Sequence, residues 1–134
     1  VEIGPLHHVA VAVEDLDEAV DTYRRLFGAE VEHREALEGQ GVEAVYVRVG
    51  EGRIELLAAL GEDTPVGRFL ARHGPGMHHV AFEVPDAGTA LRDLAEAGAN
   101  VVDPKPRPGL AGHQVFFVHP ESVHGVLVEV VSHG

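Results

Sequence analysis

The sequence predicts an α+β fold made of two tandem modules, each a strand, a helix and three further strands. Three observations predict it. The stretch LHHVAVAV (residues 6–13) returns nearly unchanged as MHHVAFEV (residues 77–84). An Asp-led helical periodicity follows each copy. Further on, GAEV (residues 28–31) returns as GANV (residues 98–101), and RIELL (residues 53–57) as LVEVV (residues 127–131). Self-similarity at a nearly constant spacing, here 70 to 74 residues, is the mark of a duplicated unit. The halves run from about 6–60 and 77–132, with a connecting helix at about 64–73, in one domain of 134 residues.

Each element follows in order. Residues 6–13 are apolar, rich in Val and free of breakers, as a strand requires. Asp15 then stands three residues before Glu18, a capping-box spacing, and Leu16, Ala19, Val20, Tyr23 and Phe27 fall on one face of a 3.6-residue period. Strand-like runs at 29–34, 42–49 and 53–59 complete the first copy, with GEG (50–52) turning between the last two. Thr64 as N-cap and Pro65 at the first helical position open the connector, whose packed face is Val66, Phe69 and Leu70 and whose end lies near Gly74. In the second copy Asp86 caps a helix packed through Ala87, Ala90, Leu91 and Leu94, and Gly98 stops it in a left-handed turn. Strands are expected at 100–103, 113–118 and 125–131, with HPESVHG (119–125) as a turn. The loop DPKPRPGLAG (103–112) carries Pro104, Pro106 and Pro108, which argue against regular structure there, and its length hints at a function. A four-stranded sheet covered by one helix leaves its other face open, so two modules side by side form a curved mixed sheet around a cleft.

Composition bounds what such a cleft does. The chain is 45% hydrophobic and 24% charged, an ordinary globular balance. A formal net charge of -12, with Lys105 as its one Lys and its Arg residues scattered, excludes a nucleic-acid partner. No apolar run approaches the ~20 residues of a membrane span, and the first residues lack the basic-then-apolar pattern of a signal peptide. The absence of Cys rules out thiolate metal sites and a Cys nucleophile and fits a cytoplasmic protein.

Four polar side chains interrupt the apolar strands, and they do so twice over. His8 and His79 occupy equivalent positions on the first strand of each copy, and Glu55 and Glu129 on the last. A carboxylate within IELLAAL or VLVEVV is out of place unless something compensates it. A pseudo-two-fold axis would bring the four to one point, where two neutral imidazoles and two carboxylates neutralise a divalent cation and leave two octahedral positions for water or a bidentate substrate. Co²⁺, Mn²⁺, Ni²⁺, Fe²⁺ and Zn²⁺ all accept such ligands. Strand alternation turns His7 and His78 away from the cleft. His33, His73, His113, His119, His124 and His133 read as structural or surface residues.

The duplicated order, with His on the first strand and Glu on the last, resembles the vicinal oxygen chelate superfamily of glyoxalase I, extradiol dioxygenases and fosfomycin-resistance proteins. Within it, HHVAVAVEDLDEAV, QGV, RIELLAALGEDTPVGRFLARHGPGMHHVAFEV, PKPRPGLAGHQVFFVHPES and GVLVEVV resemble the methylmalonyl-CoA epimerase family along nearly the whole chain. That resemblance implies a metal, cobalt by preference, held by His8, Glu55, His79 and Glu129. Some members carry Gln at the position of Glu55, so a charged ligand here implies a different metal preference or a looser hold. The implied reaction exchanges the α-proton between the 2R and 2S forms of methylmalonyl-CoA through a metal-stabilised enediolate. Chelation of the thioester and carboxylate oxygens favours that charge, and inversion calls for an acid/base group on each face.

Glu129 is the candidate for one of these groups, since a metal-bound carboxylate that can loosen is positioned to act as base. Some relatives place the second just after QGV, as QGVxE. Here QGVEA puts Glu43 one place early and Ala44 in the usual spot. One step along a strand reverses the face, and a bulge would restore it. Gln40 for substrate positioning, Lys105 and Arg107 for the phosphates of CoA, and a homodimer complete the expectation. The competing readings are a glyoxalase I-like isomerase, a ferrous dioxygenase and a metal-free binding protein of the same fold.

Overall fold

Caps and turns set the helices where the sequence places them. The Asp15 side chain accepts the Glu18 N–H at 3.0 Å and opens α1 (Leu16–Phe27). Gly28 closes it in a left-handed conformation, with its N–H bonded to Arg24 O. Thr64 accepts the Gly67 N–H at 3.0 Å and opens α2 (Pro65–His73). Asp86 accepts the Thr89 N–H at 2.8 Å and opens α3 (Ala87–Glu96). A computed structural model describes residues 1–133 and divides the chain into two units, His8–His78 and Val1–His7 with His79–Gly134. No helix among the described residues is long and apolar enough to cross a membrane.

The first unit holds β1 (Leu6–Ala12) from His8 onward, α1, β2 (Glu30–Leu37), β3 (Val42–Val49), β4 (Gly52–Ala59) and α2. Its strand order is β2-β3-β4-β1, antiparallel except for the β1–β4 pair. One face packs under α1 as a core of Leu16, Val20, Ala29, Val45, Val47 and Leu56. Each large aliphatic side chain buried there contributes roughly 1.5–3 kcal/mol. By alternation, Ala10, Ala12, Ala44, Tyr46, Glu55 and Leu57 share the opposite face, and all six are buried. Phe69 of α2 stacks near His73 and meets the ring of His78 edge-on at 4.9 Å.

The second unit repeats the plan. It holds β5 (Gly76–Glu83) from His79 onward, α3, β6 (Arg107–Pro108), β7 (Gln114–Val118) and β8 (Val128–Ser132), in the order β5-β8-β7-β6. β5 and β8 run parallel, while β7 is antiparallel to β8 and to β6. Val84, Ala87, Ala90, Phe116, Val118, Val128 and Val130 form the core beneath α3. The register confirms the duplication, since Ala10 faces Glu55 as Ala81 faces Glu129.

The strand expected at 100–103 is reduced to a single bridge between Val101 and Val118. Asp103 explains how the ladder is broken there. Val102 N–H still donates to Phe117 O, but the return bond runs from Phe117 N–H to the Asp103 side chain at 3.0 Å. Pro104 and Pro106 then offer no N–H to β7, and pairing resumes only at Arg107–Pro108, inside the stretch expected to be irregular.

Candidate metal centre

In the first unit His8 leaves β1 and Glu55 leaves β4 on the same face. Their Nε2 and Oε1 atoms lie 3.4 Å apart, with the residues only 1% and 5% exposed. Three small side chains, Ala10, Ala12 and Ala44, share this face and are fully buried. Tyr46, opposite Glu55 in the β3–β4 register, sets its ring 5.3 Å from that of His8. The Arg53 guanidinium stands 5.4 Å over the Tyr46 ring, and its Nε–H donates to Glu32 at 2.9 Å. Burial pushes the Glu32 carboxyl up, but hydrogen bonds and charge from Arg53 and Arg48 outweigh it and hold the group below its ordinary value.

The second unit builds the same set. His79 Nε2 and Glu129 Oε1 lie 3.4 Å apart, with the residues 4% and 6% exposed. Phe117, opposite Glu129, meets the His79 ring edge-on at 5.4 Å. Arg107 stands 5.8 Å over Phe117, with Asp103 3.3 Å from its Nε. Each module therefore presents an imidazole, a carboxylate, an aromatic ring and a guanidinium over that ring. Tyr46 and Phe117 stand at the same 71-residue spacing as His8 and His79, so the repeat pairs them, but an aromatic ring on an apolar strand reads as core.

The donor chemistry fits a divalent ion. A carboxylate buried on an apolar strand costs several kcal/mol unless a charge or hydrogen bonds offset it. A separation of 3.4 Å is longer than an ordinary charge-assisted hydrogen bond of about 2.7–2.9 Å. It matches two ligands of one ion at about 2.0–2.2 Å from each, which stand roughly 3–3.5 Å apart. Nitrogen and carboxylate oxygen together suit first-row divalent metals.

The remaining expected residues sit elsewhere. β3 is regular through residue 43, so Glu43 keeps to the α1 side with Val45 and Val47, away from Ala44 and Tyr46. The β2–β3 irregularity lies between Val31 and His33, in the partner strand, and does not turn Glu43. Its carboxylate instead accepts from Arg34 Nε at 3.0 Å, and Arg34 reaches on to Asp17 of α1 at 2.6 Å. These two carboxylates raise the Arg34 pKa above its ordinary value. Glu43 thus lies on the face of β3 opposite to that of Ala44 and Tyr46. Gln40 closes a 3-10 turn ahead of β3. Lys105 is exposed on the loop, while Arg107 is half-buried against Phe117.

A third group was not anticipated. His7, His113 and His133 offer ring nitrogens within 4.8 Å of one another. The sequence carries no signal for it, because the three are far apart in the chain.

A tandem βαβββ chain with a buried imidazole–carboxylate pair in each module defines a class, and the family model of the glyoxalase/bleomycin resistance protein/dioxygenase superfamily matches residues 7–117. The chain is 41% identical over 130 residues to the ethylmalonyl-CoA/methylmalonyl-CoA epimerase of Cereibacter sphaeroides, covering 96% of this chain and 97% of that one. A crystal structure of methylmalonyl-CoA epimerase from Mycobacterium tuberculosis superposes with a TM-score of 0.95 at 33% identity, covering 98% of this chain and 89% of that one. A methylmalonyl-CoA epimerase in complex with methylmalonyl-CoA and ammonium superposes with a TM-score of 0.95 at 35% identity, covering 98% and 95%. The chain belongs to the glyoxalase/bleomycin resistance protein/dioxygenase superfamily and, within it, to the methylmalonyl-CoA epimerases.

Proposed function

We propose that this chain interconverts the 2R and 2S forms of methylmalonyl-CoA, with His8, Glu55, His79 and Glu129 as the ligands of one divalent metal ion. The duplicated imidazole–carboxylate pair, buried and 3.4 Å apart in each module, carries this reading. Its relatives' names supply the substrate class.

A divalent ion bound there supplies Lewis-acid polarisation of the substrate's thioester and carboxylate oxygens. The protein does the rest. Glu129 takes the α-proton on a carboxylate oxygen, a role open to it because its carboxylate is buried and its pair with His79 is loose, and a water molecule returns a proton to the opposite face of the α-carbon. His8, Glu55 and His79 hold the centre in place. Tyr46 and Phe117 set their rings against the two imidazoles and shield them from bulk solvent, which strengthens each electrostatic contact inside. Lys105, exposed on its loop, and Arg107 meet the phosphates of CoA, and Gln40 positions the substrate. Cobalt is the expected metal, and a cytoplasmic homodimer the expected assembly. The exposed Leu26 and Phe27 of α1 support a second copy as partner.

The test is exchange of the substrate α-proton with solvent deuterium, followed by NMR, with Co²⁺, Mn²⁺, Ni²⁺, Zn²⁺ or Fe²⁺ added back to stripped protein. Metal-dependent exchange with loss of stereochemical purity supports the assignment. An untouched α-proton with every metal refutes it.

A further inference from the structure

We propose that His7, His113 and His133 form a second transition-metal site, a three-imidazole centre that takes Zn²⁺ or a neighbouring first-row ion. All three lie in the same unit, at the start of the chain, after the Pro-rich loop and just past β8. Their rings close a triangle, with centroids 5.2 Å apart for His7 and His113, 5.9 Å for His7 and His133, and 4.7 Å for His113 and His133. Interplanar angles of 86°, 65° and 82° stand the rings edge-on to one another instead of stacking them. One ring nitrogen from each lies within 4.8 Å of the others. Ligands of a tetrahedral ion at about 2.0–2.1 Å stand roughly 3.4 Å apart, so small rotations of the rings close the site.

Chemistry beyond the triangle supports a metal. His133 Nε2–H donates to Glu83 Oε1 at 2.8 Å. That bond fixes the tautomer and presents Nδ1 as the ligand atom, the carboxylate–imidazole–metal relay that commonly supports bound ions. Burial grades outward, from His7 at 4% exposed, through half-buried His113, to exposed His133. His133 and Glu83 also line a cleft of about 370 Å³ with Glu2 and Gly4. A fourth position therefore faces solvent, open to water or a small ligand. Three neutral imidazoles without a carboxylate favour Zn²⁺, Cu²⁺, Ni²⁺ and Co²⁺ over Mg²⁺ or Ca²⁺. The donor set differs from that of the two-His, two-Glu centre, so the two sites are separable by spectrum and by stoichiometry.

The experiment uses the full chain, expressed without a histidine tag and stripped of metal. Zn²⁺ is titrated against a chromophoric chelator, and Co²⁺ is followed by visible absorption. The wild type is expected to bind two equivalents of Zn²⁺, and its second equivalent of Co²⁺ to give the intense absorption of a tetrahedral ion. His133→Ala, at an exposed position where folding is safe, is expected to bind one equivalent and lose that absorption. Glu83→Ala is expected to weaken the second equivalent about 10- to 100-fold. The double variant His113→Ala/His133→Ala, checked by its thermal melt, should also bind one. A wild type that binds no more equivalents than His133→Ala overturns the proposal. Because α-proton exchange is not the readout, failure here leaves the epimerase reading intact, and failure there leaves this one.

Discussion

Glu55 and Glu129 are structural twins. Each lies beside an alanine of a parallel strand, opposite an aromatic ring of an antiparallel one, and 3.4 Å from the Nε2 atom of its own histidine. What separates them is the role proposed for Glu129 in moving the proton. Glu129→Gln should therefore lower the rate of α-proton exchange by about 10²–10⁴-fold, the usual worth of a positioned acid/base group. Glu55→Gln keeps an oxygen ligand and should retain most exchange while changing which added metal works best. Deuterium incorporation by NMR, metal by metal, checks both. Equal losses in the two variants would contradict the division of labour.

Glu43 offers the opposite test. It faces α1 and holds Arg34 at 3.0 Å, with both side chains 37% exposed. Glu43→Gln should leave the exchange rate within a few-fold of wild type and cost less than about 1 kcal/mol of stability, as partly exposed ion pairs do. A rate loss above 100-fold would show that β3 turns in solution.

Removing the metal should loosen the fold as well as silence it. Ligands that bind the native state alone stabilise it by mass action, by about 2.7 kcal/mol at a hundredfold excess over Kd. Chelation should lower the melting temperature by several degrees, and His8→Ala should blunt that difference. Calorimetry with and without chelator reads it directly.

Legibility from sequence followed physics. The four proposed ligands stood out because a charged or imidazole side chain on an apolar strand is costly, and the cost appeared at matching points of two copies. Helices α1, α2 and α3 were readable from Asp15, Thr64 and Asp86, whose side chains do accept the expected N–H groups. The 100–103 strand was not, because equivalence with β2 said nothing of the prolines that strip its donors. The face of Glu43 depended on whether β3 bulges, which no local signal encodes. The His7, His113 and His133 cluster depends on tertiary contacts between distant segments.

Gly67 tests the connector. A Cβ at this position would collide with the carbonyl oxygen of Gly61 and come within 2.7 Å of Glu62 O, both backbone atoms with little room to move. Gly67→Ala should destabilise by about 1–3 kcal/mol, the usual cost of overpacking. Gly39→Ala, where a Cβ meets nothing within 4 Å, should cost much less. Urea unfolding of the two variants side by side gives the comparison.

Acid stability should depend on Asp86. The Thr89 hydroxyl and then the Thr89 N–H donate to its carboxylate and hold its pKa below the ordinary value. A carboxyl depressed in the folded state adds stability that is present above its unfolded pKa and is lost as pH falls through the folded one. Asp86→Asn can still cap α3 and should melt close to wild type at pH 7. Its melting temperature should then fall less than that of wild type between pH 5 and about pH 2. Parallel thermal melts across that range would show it, and identical acid limbs would contradict it.

The central claim is that both imidazole–carboxylate pairs serve one ion. Anomalous diffraction from crystals of Co²⁺-loaded His133→Ala protein, recorded across the cobalt edge, tests it most directly. The account predicts a single strong peak at about 2.0–2.2 Å from His8 Nε2, Glu55, His79 Nε2 and Glu129 together. A peak bound by one pair alone, or by none of the four, would contradict it.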